Sequence, residues 1–306
     1  MYKRQTLQDV PHYQWYGGSI LDSIKGIKEK GIILINECIW KPEWEEFERH
    51  LESISKNVVV ITDGLPREWI QNKKINVVVR QGHVQHTLRS WKNNILKGKL
   101  KHFKRQAENL PYDFFLMYGR YCNMKEPIFK EVLKKQILQN SIYSCPAIEN
   151  ERLATSIEDI SKAPPDSMRF AHDKNAKTVI TNCQKTKCHL VLETNGLKEN
   201  DCAFITEKSL WPLVSQMPAI WITTARKYQQ ITDWGLQPAE PSRFNIRAIV
   251  EQLLYLQKVF QDPLLSQKWQ DDQGEKINKN VSILNSLCDR LQEEEHLQYK
   301  NLGLVR

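Results

Sequence analysis

The chain has 306 residues, which favours two domains or one large one, and 41% of its residues are apolar, enough for a buried core. No apolar run approaches the ~18–20 residues that span a bilayer, and residues 1–18 lack the apolar centre of a signal peptide. These features argue against membrane-spanning and secreted classes. We therefore expect a cytoplasmic monomer without a transmembrane segment.

Positive charge is concentrated in the first half of the chain. Residues 1–150 hold 24 Lys and Arg against 16 Asp and Glu, whereas residues 151–306 hold 20 of each, so the first half carries the whole net charge of +8. Ten basic residues and no acid lie between Trp69 and Ala107. Such a window attracts polyanions, although a solvated helix face would look the same. The candidate nucleic-acid-binding side chains are Arg89, Lys92, Lys97, Lys99, Lys101, Lys104 and Arg105.

The seven cysteines are scattered and form no CxxC pair. Structural zinc sites usually show closely spaced pairs of ligands, so we expect reduced core thiols and no metal site.

Alternating strands and helices are predicted along the first half. Apolar, β-branched runs predict strands, and the helical spacing of Trp44, Phe47, Leu51 and Ile54 predicts a helix after the first of them. This alternation is typical of a parallel sheet covered on both faces. The predicted strands are 31–40, 57–66, 74–82, 112–121 and 141–145, and a second helix is predicted at 126–138.

A polar segment, 149–170, contains Pro164-Pro165 and is predicted to join two domains, 1–150 and 151–306. The second half repeats the α/β alternation and ends in helices. Two such layers would hold a ligand in a cleft between them, at the carboxyl ends of the strands. The predicted strands are 188–194 and 218–223, and the helices are one from Thr206, one closed by Gly235, 244–260 and 279–297.

The segment FITEKSLWPLV follows a strand, HLVLETNG, that ends at Glu193. We predict that Thr206 caps a helix with Glu207 and Lys208 in its first turn, which would be a ready phosphate site. The alternative is that Glu207 only complements the helix dipole, a gain of ~0.3–1 kcal/mol. Pro212 would kink this helix unless the helix restarts there. The chain has no GxGxxG, GxxxxGK[ST], HExxH or GxSxG motif.

The order HLVLETNG, FITEK and MPAIWIT resembles the donor domain of α-1,3-fucosyltransferases and of related phage-encoded glycosyltransferases, over about residues 186–236. The resemblance implies a GT-B-like α/β fold, with two Rossmann-like domains, a cleft between them and C-terminal helices. It implies a nucleotide-sugar donor, UDP- or GDP-linked. Donor contacts would come from Glu193, Thr206, Glu207 and Lys208, with Arg120 or Lys125 upstream.

The same resemblance implies a catalytic carboxylate just after a strand of the first half. Asp63 occupies that setting, and Glu37 is its rival. The chain departs from the family pattern at Thr194, where asparagine is expected, and in lacking a glycine after MPAIWIT. No DxD-like motif is recognisable, so we expect no strictly required metal.

A basic acceptor half favours a polyanionic acceptor, and hydroxymethylated pyrimidines in phage DNA offer both a hydroxyl and a phosphate backbone. Such an enzyme would work in the host cytoplasm. Trp69, Trp91 and Phe103 are candidates for stacking on bases, although aromatic residues at such positions are usually core. Two alternatives remain: transfer to a lipopolysaccharide or other surface glycan, and a non-catalytic nucleic-acid-binding protein.

Overall fold

The computed structural model describes residues 12–15, 31–35, 58–63, 76–96, 110–117, 126–144, 179–193 and 205–302. The chain divides into two compact units. The first comprises Met1–Gln85, Asn200–Phe204 and Cys288–Arg306, and the second comprises His86–Glu199 and Ile205–Leu287.

Four parallel strands, β1 to β4, form the sheet of the first unit in the order β1-β2-β3-β4. Three of them match the predicted runs, and Val78 in β4 is fully buried, as a covered sheet requires. β1 was not predicted, because its sequence HYQW mixes polar and aromatic residues. The strands are β1 (His12–Trp15), β2 (Gly31–Ile35), β3 (Val58–Asp63) and β4 (Asn76–Arg80).

A second parallel sheet has the order β6-β5-β7-β8. Its strands are β5 (Tyr112–Met117), β6 (Ile142–Ser144), β7 (Thr186–Leu192) and β8 (Ala219–Ile222). Phe115 of β5 lies opposite His189 of β7, which in turn lies opposite Ala219 of β8. The α/β class with parallel sheets is therefore confirmed.

The pairing of β5 with β7 corrects the predicted division at residue 150. Sequence reasoning placed β5 and β6 in the N-terminal domain, but both belong to the same sheet as β7 and β8. Strand pairing is non-local, so a polar, proline-containing segment such as 149–170 can lie between two strands of one sheet.

Seven helices are described in full. The basic helix α1 (Gly82–Leu96) follows β4, and α2 (Glu126–Lys134) follows β5. α3 (Trp211–Val214) precedes β8, and α4 (Ala225–Asp233) follows it. The chain then runs through α5 (Ile246–Gln261), α6 (Pro263–Asp272) and α7 (Gly274–Asn301).

The core of the second sheet is built by alternation along its strands. Even-numbered side chains such as Phe114, Leu190 and Ile222 pack with α2, α5 and Trp269 of α6 on one face. The odd-numbered side chains point to the other face, because successive residues of a strand alternate. That second face carries His189 in the middle of β7 and Glu193 directly after the strand.

Local signals explain where several helices begin and end. Gly235 closes α4 with φ of +88°, as predicted, and its amide donates to the carbonyl of Thr232. Sequence reasoning missed α6, although Asp262 caps it through the amides of Leu264 and Leu265 and Pro263 begins it.

Three cysteines of the described residues, Cys183, Cys188 and Cys288, are buried and form no disulfide, as predicted for core thiols. Within the described ranges, no helix is both long and apolar enough to cross a bilayer.

Candidate functional site

The strand order of the second sheet creates a topological switch point. From β5 the chain goes to β6 on one side, and it later returns to β7 on the other side of β5. In open parallel sheets, ligands bind outside the carboxyl ends of the strands at such a point. The carboxyl ends of β5 and β7 therefore mark the candidate site.

Glu193, the residue after β7, has a fully buried carboxylate that accepts hydrogen bonds from its own chain. The Thr206 amide lies 3.1 Å from Oε1, the Thr206 hydroxyl 2.9 Å from Oε2, and the Ser209 hydroxyl 2.6 Å from Oε1. Buried carboxylates are tolerated only when such donors surround them. Glu193 therefore ties the segment from Thr206 to Ser209 to the end of β7.

That segment is a single 3-10 turn, Glu207–Ser209, which we call the EKS turn. The helix predicted from Thr206 begins as this turn and restarts at Trp211, which is the alternative that Pro212 left open. Pro212 occupies the first turn of the restarted helix, where its missing N–H costs nothing. Thr206 does begin the turn, since its Oγ1 lies 3.4 Å from the Lys208 amide.

A three-residue turn has only a small dipole, and its amides are partly used. The Thr206 amide donates to Glu193, and the Ser209 amide donates to the Thr206 carbonyl at 3.2 Å. The predicted phosphate site at a helix start therefore loses most of its backbone contribution. The charged group that remains in this turn is the half-buried Lys208 side chain, whose ammonium acts as a point charge.

β8 ends beside β7, and sequence reasoning assigned nothing there. The Glu193 amide donates to the Ile222 carbonyl at 3.3 Å, so Thr223 follows directly alongside Glu193. Thr223 is fully buried, and its hydroxyl has no hydrogen-bond partner in the part of the chain that is described. Thr224 caps α4 by accepting from the Lys227 amide at 3.3 Å.

Helix α1 packs against α3 through two tryptophans. The ring centroids of Trp91 and Trp211 lie 5.1 Å apart with an interplanar angle of 47°. Trp91 is 2% exposed, so it is a core residue and cannot stack on a base. Arg89 and Lys92, two of the candidate nucleic-acid contacts, are exposed on the same helix.

The other predicted site residues are placed only in part. Asp63 is the last residue of β3, opposite Arg80 at the carboxyl end of β4, and nothing is described of its side chain. The side chain of Glu207 is likewise outside the description. The remaining candidates lie outside the described residues: Glu37, Lys97, Lys99, Lys101, Lys104, Arg105, Arg120 and Lys125.

His189, in the middle of β7, forms a buried pair with Cys183, which precedes the strand. His189 Nδ1 is 3.8 Å from the Cys183 sulfur, and the His189 ring meets Phe115 edge-on at 4.8 Å. Burial lowers the pKa of His189 to about 3 and raises the pKa of Cys183 far above its ordinary value. Both groups are therefore neutral near pH 7, which suits packing rather than proton transfer.

Among the described residues, no group of three or more His, Cys, Asp or Glu side chains is arranged to hold a metal ion.

Comparisons with known proteins identify no family. No family model matches the chain, and no curated protein matches it. A mutant of S. aureus TarM, solved with fondaparinux, α-GlcNAc-glycerol and UDP, is similar at 9% identity, with a TM-score of 0.47. That match covers 90% of this chain and 52% of TarM, so the chain spans about half of TarM's length.

The N-terminal domain of Candida albicans trehalose-6-phosphate phosphatase is also similar, at 8% identity and a TM-score of 0.35. This match covers 90% of the chain and 72% of that domain. Both TM-scores are below 0.5, so neither likeness carries a functional argument.

Replacing Glu193 with Gln should destabilise the second unit. An amide puts a donor where the carboxylate accepted from Thr206 and Ser209, and each unsatisfied buried donor costs about 1–3 kcal/mol. Urea unfolding should show the loss as a lower free energy of unfolding. The control is Glu251→Gln, whose carboxylate is exposed and accepts a hydrogen bond from Arg247 on the same helix. Equal stability of the Glu193 and Glu251 variants would contradict the anchoring role.

Acid should weaken the fold through His189. Its folded pKa of about 3 lies below its ordinary 6.5, so the unfolded chain binds the proton more tightly. Stability should therefore fall as the pH drops from 6.5 towards 3, by about 1.4 kcal/mol per pH unit. Carboxylates also contribute in this range, so the readout is the difference between wild type and His189→Phe. A difference that stays constant from pH 7 to pH 4 would refute this account of the histidine.

Proposed function

We propose that the chain is a glycosyltransferase that moves a sugar from a nucleotide-sugar donor, UDP- or GDP-linked, to a hydroxyl acceptor. The observation that carries the proposal is the EKS turn, held by Glu193 at the carboxyl end of β7 beside the switch point of a parallel sheet. In the family that the sequence resembles, this same strand, turn and strand form the donor site.

The donor site is assigned as follows. Lys208 pairs with the diphosphate as a point charge, and Glu207 accepts paired hydrogen bonds from hydroxyls of the sugar or ribose. Thr206 and Glu193 position this turn, because Glu193 already accepts hydrogen bonds from Thr206 and Ser209. The resemblance implied a direct contact for Glu193, and the geometry favours an indirect role.

The opposite side of the donor site is assigned to the residues that follow β5. Arg120 lies three residues beyond Met117, the last residue of β5, and three residues span at most about 10 Å. Lys125 immediately precedes α2. We therefore assign the second phosphate contact to Arg120 or Lys125, as the resemblance implies.

The general base is assigned to a carboxylate of the first unit. Asp63 ends β3, and Glu37 lies two residues beyond Ile35, the last residue of β2. A base in this setting takes the proton from the acceptor hydroxyl as the hydroxyl attacks the sugar. Asp63 is the first choice because it ends its strand, as in the resembled family, and no metal is assigned a role.

The favoured acceptor is a hydroxymethylated pyrimidine in phage DNA. Exposed Arg89 and Lys92 lie on α1, and α1 packs through Trp91 against the helix that follows the EKS turn. Phosphate contacts with Arg89 and Lys92 would therefore hold a polyanion on α1, close in the fold to the EKS turn. A surface glycan with phosphate groups is the second candidate, because the same basic side chains suit it.

Removing the Lys208 charge should weaken nucleotide binding without affecting the fold. Lys208→Gln deletes the proposed diphosphate contact, and a charge-assisted hydrogen bond contributes about 1.5–3 kcal/mol, so the dissociation constant for UDP or GDP should rise at least about tenfold. Calorimetry measures the affinity, and the melting temperature should hardly change. The matched control is Lys268→Gln, an exposed lysine on α6. Equal affinities in both variants would remove Lys208 from the site.

A panel of sugar nucleotides offered with hydroxymethylcytosine DNA should test the acceptor. We expect the nucleoside mass to increase by one sugar with one of the donors, and the yield to fall with salt. An Arg89→Gln, Lys92→Gln double variant should lower DNA affinity and reduce the slope of log affinity against log salt by about 2.

The alternatives predict different outcomes from the same panel. A glycan enzyme should hydrolyse its donor at a rate that DNA does not change, and no DNA mass shift should appear. A non-catalytic nucleic-acid-binding protein should bind DNA but neither bind nor hydrolyse any sugar nucleotide.

A further inference from the structure

Helix α3, which follows the EKS turn, cannot hold its own orientation. It has only four residues, its N-cap residue Leu210 makes no side-chain cap, and isolated helices of this length are unstable in water. Its position therefore depends on the contacts of its buried side chains. One of these contacts is aromatic and joins Trp211 to Trp91 of α1.

Trp211 lies two residues after Ser209 and three after Lys208. Ser209 is held from the side of β7, because its hydroxyl donates to Glu193. Trp211 is held from the side of α1, where its ring meets that of Trp91, and both rings are at least 96% buried. The backbone of Lys208 is thus fixed at two points, one by a hydrogen bond and the other by an aromatic contact.

We infer that Trp91 is a positioning residue for the nucleotide site, acting through Trp211 to hold the EKS turn where Lys208 meets the diphosphate. The inference rests on the proposed function and adds to it a residue of the basic segment, for which the sequence left base stacking and a core role as alternatives. Trp91 touches no ligand in this account. Its role is to hold the turn in its binding conformation before the nucleotide arrives, so that less conformational entropy is lost on binding.

Three variants distinguish a positioning role of Trp91 from a general effect on the stability of the protein. Trp91→Leu removes the aromatic contact, and Trp91→Phe retains an aromatic ring. Trp269→Leu is the matched control, because Trp269 packs edge-on to Phe260 in the cluster on the other face of the same sheet. Each purified variant is titrated with UDP and with GDP, its melting temperature is recorded, and hydrogen exchange is followed in the peptide covering residues 205–214.

We expect Trp91→Leu to bind the nucleotide about tenfold more weakly and to exchange faster at 206–213, and Trp91→Phe, whose ring is smaller, to shift in the same direction by less. Trp269→Leu should lose stability but keep wild-type affinity and wild-type exchange in that peptide. If Trp91→Leu does not fold, Trp91→Phe carries the test through a smaller shift in the same direction.

The inference is overturned if Trp91→Leu binds like wild type, or if Trp269→Leu loses as much affinity. A wild-type chain that binds neither nucleotide contradicts the proposed function instead. In that case hydrogen exchange decides: faster exchange at 206–213 in Trp91→Leu alone shows that Trp91 holds the turn, and equal exchange in both leucine variants shows that it does not.

Discussion

The candidate site depends on one buried carboxylate. Glu193 lies directly after β7 inside the protein, and the hydroxyls of Thr206 and Ser209, 13 and 16 residues further along the chain, donate to it. A buried carboxylate without donors would cost several kcal/mol, so the strand end and the turn must fold together. This interaction fixes the backbone of Lys208 at the carboxyl edge of the second sheet, where the strand order places a ligand site.

The second constraint on the turn comes from α1. Trp91 contacts Trp211 at the start of α3, and the same α1 exposes Arg89 and Lys92. One helix therefore packs against the segment after the EKS turn on its inner side and carries exposed basic side chains on its outer side. Pro212, which is incompatible with a continuous helix after Thr206, fits because the 3-10 turn ends before α3 begins. The turn is thus a short, separately anchored element rather than a helix terminus.

Strong local signals made part of this structure predictable. β-branched runs predicted β2, β3 and β4, Gly235 predicted the end of α4, and Thr206 predicted the start of the turn. The predictions failed where the structure depends on contacts between residues far apart in the sequence. The pairing of β5 with β7 joins segments about 70 residues apart, and no local pattern encodes it. The burial of Trp91 and the donors of Glu193 are equally non-local, so sequence reasoning could not tell a positioning residue from a ligand contact.

The most direct measurement of the central claim is a crystal structure of the chain with UDP or GDP bound. The diphosphate should lie outside the carboxyl ends of β5 and β7, within hydrogen-bonding distance of the Lys208 ammonium group, with the Glu193 carboxylate still bonded to Thr206 and Ser209. A nucleotide bound instead at the carboxyl end of β3, next to Asp63, would contradict the assignment of the donor site to the second sheet. So would a diphosphate that displaces Ser209 from Glu193.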